Sequence, residues 1–173
     1  MPQYTIEEYA NLLTRTYTAR FPRDNRPRTV IDVTDKGVEV LEFILPHPTD
    51  GRFSVSLQVR TYRGSVSECS LYFGQAEVAS MLDPEEAIAA MNEVIDDHIV
   101  AIVRYKNREA YENHRKINTR PMEWLFQVPD DEEDLAALLD MLKKPAGFWD
   151  KFNGKHVGVF ELYRWSYSEV FER

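Results

Sequence analysis

The chain has 173 residues, 43% hydrophobic and 29% charged, with a net charge of −8. This composition suits one folded domain spanning 1–173, large enough to bury roughly 70% of its unfolded surface without covalent staples. The lone cysteine, Cys69, excludes an internal disulfide framework, and the acidity argues against nonspecific DNA or RNA binding, which needs a basic footprint.

The chain begins with an expected helix at 5–19. Thr5 and Glu8 have capping-box spacing, Tyr4 and Tyr9 are placed for a hydrophobic staple, and Ile6, Tyr9, Leu13 and Tyr17 share a face. After an arginine-rich loop, strands are expected at 29–34, 38–45, 52–62 and 66–73. Asp35-Lys36-Gly37 and Arg63-Gly64 supply tight turns between them. Phe53, Val55, Leu57 and Val59 alternate with Ser54, Ser56, Gln58 and Arg60, so one face of that strand meets a core. Short connections predict a four-strand antiparallel meander. Cys69 shares a strand face with Leu71 and Phe73 and reads as a buried, inert thiol.

Residues 83–106 predict a helix–strand unit. Asp83 caps, Pro84 occupies the first turn, Glu86 completes a capping box, and Ile88, Met91, Val94 and Ile95 form the apolar stripe. From Ile99 to Val103 every residue is apolar, as in a strand covered on both faces. A short helix is expected at 108–116 and a strand at 122–128. A further helix follows, capped by Asp130, with Leu135, Leu138, Leu139 and Leu142 facing inward and Lys143-Lys144-Pro145 closing it. Strands at 156–163 and 165–171 complete an α+β fold with a mainly antiparallel sheet, covered by the N-terminal, central and later helices.

Chemistry is sparsely signed. His47, His98, His114 and His156 have no second His or Cys at metal-ligand spacing, the seven glycines form no phosphate-binding loop, and GxSxG is absent. No catalytic residue, cofactor or metal ligand is assigned. Only Asp96-Asp97-His98 stands out, because two carboxylates at a helix C-terminus oppose the dipole and a cation would explain them.

Charge is uneven: residues 1–64 carry 9 Lys/Arg against 8 Asp/Glu, and residues 65–173 carry 12 against 21. The acidic run Asp130-Asp131-Glu132-Glu133-Asp134 suits a helix N-terminus and also a surface for a basic partner. Arg20, Arg23, Arg26 and Arg28, and the basic run from Arg104 through Lys106, Arg108, Arg115 and Lys116 to Arg120, read as solvated surface. Trp149, in an irregular stretch with Phe148 and Phe152, and Trp165 and Tyr167, on one strand face, are residue types that dominate interfaces.

No signal-peptide pattern opens the sequence and no apolar run approaches the ~20 residues of a membrane span, so a soluble cytoplasmic protein with no membrane partner is expected. No motif anchors a resemblance to a particular family. By fold-level analogy alone, small acidic proteins of this kind cover a partner, as toxin-immunity proteins and acidic secretion chaperones do. The function expected is therefore protein binding, through Asp130, Asp131, Glu132, Trp149, Trp165 and Tyr167. The alternative is a small-ligand-binding protein or enzyme, with an aromatic-lined pocket including Trp149 and Trp165 and an anchor at Arg60 or Arg104. A homodimer built on the aromatic patch is a third reading.

Overall fold

The computed structural model describes residues 4–21, 26–48, 50–74, 76–80, 83–113, 123–153 and 156–173. Arg23, His114, Arg115, Lys116 and Arg120, named above, lie outside them, as does the first position of the strand expected at 122–128. The fold is α+β with antiparallel strands, and the strands divide between two sheets, a division the sequence pattern does not draw. The chain forms two compact units, 1–94 and 95–173. Their boundary falls inside the helix–strand segment at 83–106.

In the first unit, α1 (Ile6–Thr18) starts at the predicted capping box: Glu8 N–H donates to the Thr5 hydroxyl, and Thr5 N–H to the Glu8 carboxylate. The Tyr4 and Tyr9 rings meet edge to face 6.4 Å apart. The first sheet runs in the order β1 (Arg28–Val33), β2 (Glu39–Leu45), β3 (Val55–Tyr62), β4 (Ser65–Phe73), β5 (Ala76–Ser80), all antiparallel neighbours. Leu41, Phe43, Leu45, Val55, Leu57, Val59, Cys69, Leu71 and Phe73 are fully buried, as are Tyr9, Leu13 and Tyr17 of α1. The expected alternation in β3 runs to its end, with Thr61 buried and Tyr62 exposed. The register shift between Arg60 and Thr61 is taken up in β4, where Ser67 has no partner in the ladder. The fifth strand, β5, extends the predicted meander.

Helix α2 (Pro84–Ile95) begins with the Asp83 carboxylate accepting from Glu85 N–H. Its buried face is Pro84, Ala87, Met91 and Val94, whereas Ile88 and Ile95 of the predicted stripe are only half-buried. The small Ala87 side chain lets the helix lie close, and the Tyr17 hydroxyl donates to both Ile88 O and Asn92 Oδ1 at 3.1 Å. Arg20 adds a bond to Asn92 Oδ1, so α2 is tied to α1 by polar groups as well as packing.

The second unit holds a four-stranded antiparallel sheet in the order β7 (Glu123–Gln127), β6 (Ile99–Tyr105), β8 (Val159–Tyr163), β9 (Ser168–Glu172). Ile99 to Val103 are all buried, as the unbroken apolar run implies. On one face Val100, Ile102, Phe160 and Leu162 pack with Leu135 and Leu142 of α4 (Glu132–Leu142), flanked by Trp124, Phe126, Leu138 and Leu139. Two shorter helices complete the unit. α3 (Arg108–Glu112) is capped by the Asn107 side chain on Ala110 N–H. α5 (Phe148–Asn153) lies where an irregular stretch is expected; six residues are too few to show a helical period. Arg173 clamps α5: its largely buried guanidinium pairs with Asp150 at 2.8 Å and donates to Lys144 O and His156 O. Among the described residues, no helix is long and apolar enough to cross a membrane.

Two expectations follow from this packing. Gly158 exchanges backbone hydrogen bonds with Arg173 at φ +133°, and an added Cβ would stand 2.3 Å from Tyr105 O. Gly158→Ala therefore destabilises the protein by about 3 kcal/mol in urea melts, whereas Gly51→Ala, whose Cβ meets nothing, stays within about 1 kcal/mol of wild type. The Cys69 thiol lies 3.5 Å from the Tyr9 hydroxyl, and burial pushes its pKa up to about 11. The unfolded thiol ionises near 8.5. The buried thiol's contribution is thus complete below about pH 8.5 and is lost as pH rises towards 11, roughly 3 kcal/mol in all. Urea melts from pH 8 to 11 should show a flatter alkaline limb in Cys69→Ala than in wild type; equal slopes would refute this.

Candidate functional site

The register of the second sheet decides which predicted site residues come together. Ile99 pairs with Gln127, Ala101 with Tyr163, and Tyr163 with Ser168. The start of β6, the end of β7 and the β8–β9 turn therefore share one end of the sheet. That end carries Asp96, Asp97 and His98, the acidic start of α4, and the turn holding Trp165 and Tyr167. Trp149 is apart from them: α5 is tied through Asp150 to Arg173, beside the opposite end, where Tyr105 pairs with Val159 and Val159 with Glu172. Only the backbone of Trp149 is described.

Within the acidic run the side chains have different tasks. The helix cap is Asp131 rather than Asp130, and its carboxylate makes no cap hydrogen bond; it turns back to accept from Gln127 N–H at 2.8 Å. Asp131 is half-buried and engaged within the chain. Asp130, Glu132, Glu133 and Asp134 are exposed, and the last three lie in the first turn of α4, where the dipole favours negative charge. Lys143 and Lys144 sit at the other terminus, with the sign the dipole favours there.

Trp165 and Tyr167 belong to the turn between β8 and β9, not to a strand face. Arg164 N–H donates to Tyr167 O, the Arg164 guanidinium lies 5.6 Å from the Tyr167 ring centre, and 47% of Tyr167 is exposed. The turn is anchored by Asp97, whose carboxylate accepts from Ser166 N–H at 2.8 Å. Asp97 has φ +64°, a left-handed conformation that Asp tolerates better than most residues, just after α2 ends. The turn anchor thus accounts for the Asp97 carboxylate without a cation. Among the described residues, no group of three or more His, Cys, Asp or Glu side chains is placed to hold a metal ion.

The proposed anion anchors are also engaged. Arg60 pairs across the strands with Glu68, its register partner, on the exposed face of the first sheet. Arg104 donates to Val157 O, and burial lowers its pKa.

One buried polar cluster escapes the sequence reading. Glu161, 2% exposed, accepts from the hydroxyls of Tyr105 at 3.1 Å and Tyr111 at 3.5 Å. The tyrosine rings meet edge to face at 5.3 Å, so Glu161 helps hold α3 on the sheet. The signal was a carboxylate inside the otherwise apolar or aromatic run Val159-Phe160-Glu161-Leu162-Tyr163.

Compared with known protein families, curated proteins and solved structures, the chain matches none.

The buried cluster gives a direct test. Tyr105→Phe removes the hydroxyl that donates to Glu161 without changing the ring, leaves a buried acceptor short of a partner, and should cost about 1–3 kcal/mol in denaturant melts. A cost below about 0.5 kcal/mol would mean that water replaces the hydroxyl.

Proposed function

We propose that this protein binds another protein and covers part of its surface, using the acidic end of the four-stranded sheet against a basic target. The observation that carries the reading is the coincidence, at one sheet end, of exposed Asp130, Glu132, Glu133 and Asp134 with the Trp165–Tyr167 turn. Carboxylates in such a cluster steer a cationic partner towards the site and penalise an anionic one. An adjacent aromatic turn supplies rigid apolar area at small entropic cost. The proposed contact set is therefore Asp130, Glu132, Trp165 and Tyr167. Asp131 supports it from within, and Trp149 lies outside it.

The lack of a catalytic motif and the overall acidity favour an immunity-like or chaperone-like role over ligand turnover, by analogy of composition and class only. The single cysteine suits action in a reducing compartment such as the cytoplasm.

Affinity capture from the source cell should recover a basic protein. The double variant Asp130→Lys with Glu132→Lys should weaken that complex by about tenfold or more at low salt, with the difference shrinking as ionic strength rises. An affinity unchanged by the double reversal removes the acidic end from the interface.

A further inference from the structure

β1 is an edge strand of the five-stranded sheet, and all six of its residues are exposed. Val30, Ile31 and Val33 are 51%, 45% and 59% exposed. Folded proteins ordinarily blunt such edges with charge, proline, shortness or a covering segment. The opposite edge is of that blunted kind: β5 is short and made of Ala76, Glu77, Val78, Ala79 and Ser80. β1 is longer and apolar at its centre.

The backbone of β1 is poised for a further strand. Thr34 N–H donates to Val38 O across the hairpin, so the alternation of an antiparallel ladder turns the backbone groups of Asp32, Val30 and Arg28 towards β2. Those of Thr29, Ile31 and Val33 point outward. The Val33 N–H is taken by Asp32 Oδ1 at 2.8 Å, and Pro27, on the outward side before the strand, has no N–H to offer. Thr29 and Ile31 remain as the outward donor–acceptor pairs.

The side chains are self-complementary about Val30. Arg28 and Asp32 lie two residues to either side of it, on the same face of the strand. With two copies of β1 antiparallel and Val30 opposite Val30, each Arg28 stands directly across from Asp32 of the second copy. In the same register each Thr29 faces Ile31 of the second copy, so the outward backbone groups meet in hydrogen-bonded pairs. Sliding by two residues keeps the backbone pairing but sets either Asp32 or Arg28 against Val30, and in both directions leaves Arg28 without a carboxylate opposite.

We propose that the protein forms a two-fold homodimer by antiparallel pairing of β1 with β1 about Val30. The pairing joins two five-stranded sheets into one, covers the exposed valines and isoleucine, and closes two Arg28–Asp32 ion pairs. This surface lies in the first unit and uses none of the acidic-end residues, so the two proposals fail independently.

The register makes the test specific. Val30→Cys, oxidised gently, should give a disulfide-linked dimer, because paired Cα atoms at a non-hydrogen-bonded position lie about 4.5 Å apart. The buried Cys69 takes no part. Ile31→Cys, opposite Thr29, should not cross-link. Light scattering of the unaltered chain should give twice 20.2 kDa. Arg28→Asp should weaken the dimer about tenfold or more, and Arg28→Asp combined with Asp32→Arg should restore it. A monomer up to the solubility limit, cross-linking at Ile31→Cys instead of Val30→Cys, or no rescue by the charge swap would each overturn the proposal. So would a monomer whose β1 takes up only a strand from a different protein.

Discussion

In the second unit the decisive constraint is the placing of β6 between β7 and β8. Its hydrogen-bond ladders use both edges, and its apolar residues are buried on both faces. Hydrophobicity alone sets such a strand's register weakly, because Val100 and Ile102 on one face and Ala101 and Val103 on the other are nearly interchangeable. The register is held by polar and steric devices instead. Tyr105 reaches Glu161, Asp97 holds the turn at Ser166, and Gly158 fits beneath Tyr105 O with no room for a side chain. Each of these contacts would be lost by a one-residue slip, with a carboxylate left buried or a turn left unanchored. The placing of the acidic run and the aromatic turn at one sheet end follows from that register.

The first unit specifies itself differently. In β2, β3 and β4 the buried inward residues are apolar except for Thr61, and most outward ones are polar, so a one-residue slip would expose a whole row of core side chains. Helix α1 seals that row with Ile6, Tyr9, Leu13 and Tyr17, and the Tyr17 ring lies 6.0 Å from Phe43. Polar contacts at this core include Tyr9 with Cys69 and Tyr17 with α2. One unit therefore uses alternation, and the other uses an apolar strand corrected by buried polar groups.

That difference explains what the sequence revealed. The capping box at Thr5, the staple of Tyr4 on Tyr9, the alternation in β3 and the apolar stripe of α4 are local patterns, and each is present in the structure. β5 escaped because Ala76 to Ser80 lacks large apolar residues and is displaced by a register shift against β4. The cap of α4 moved from Asp130 to Asp131 because adjacent aspartates offer equivalent caps, and the choice between them depends on how β7 ends. Division into two sheets was not legible, since periodicity reports which side of a strand is buried but not which strand lies beside it. Of the site residues, Asp130 and Glu132 are exposed. The internal use of Asp131 and the separation of Trp149 from Trp165 depend on pairings between residues far apart in sequence.

β1 shows where the alternation argument stops. Ile31 pairs with Leu41 and Thr29 with Phe43, so both lie on the core side of the sheet, yet both are exposed while their partners are fully buried. The helical cover reaches β1 at Thr14, whose hydroxyl meets that of Thr29 at 3.3 Å, and the strand's outer edge extends past it. An apolar residue on the core side of an uncovered edge gains nothing from the fold of its own chain, and an open ladder invites pairing with whatever strand arrives. Arg28 and Asp32, spaced evenly about Val30, favour a strand with the same sequence running the other way. The two modes of association use different residues in different units and are therefore separable by substitution.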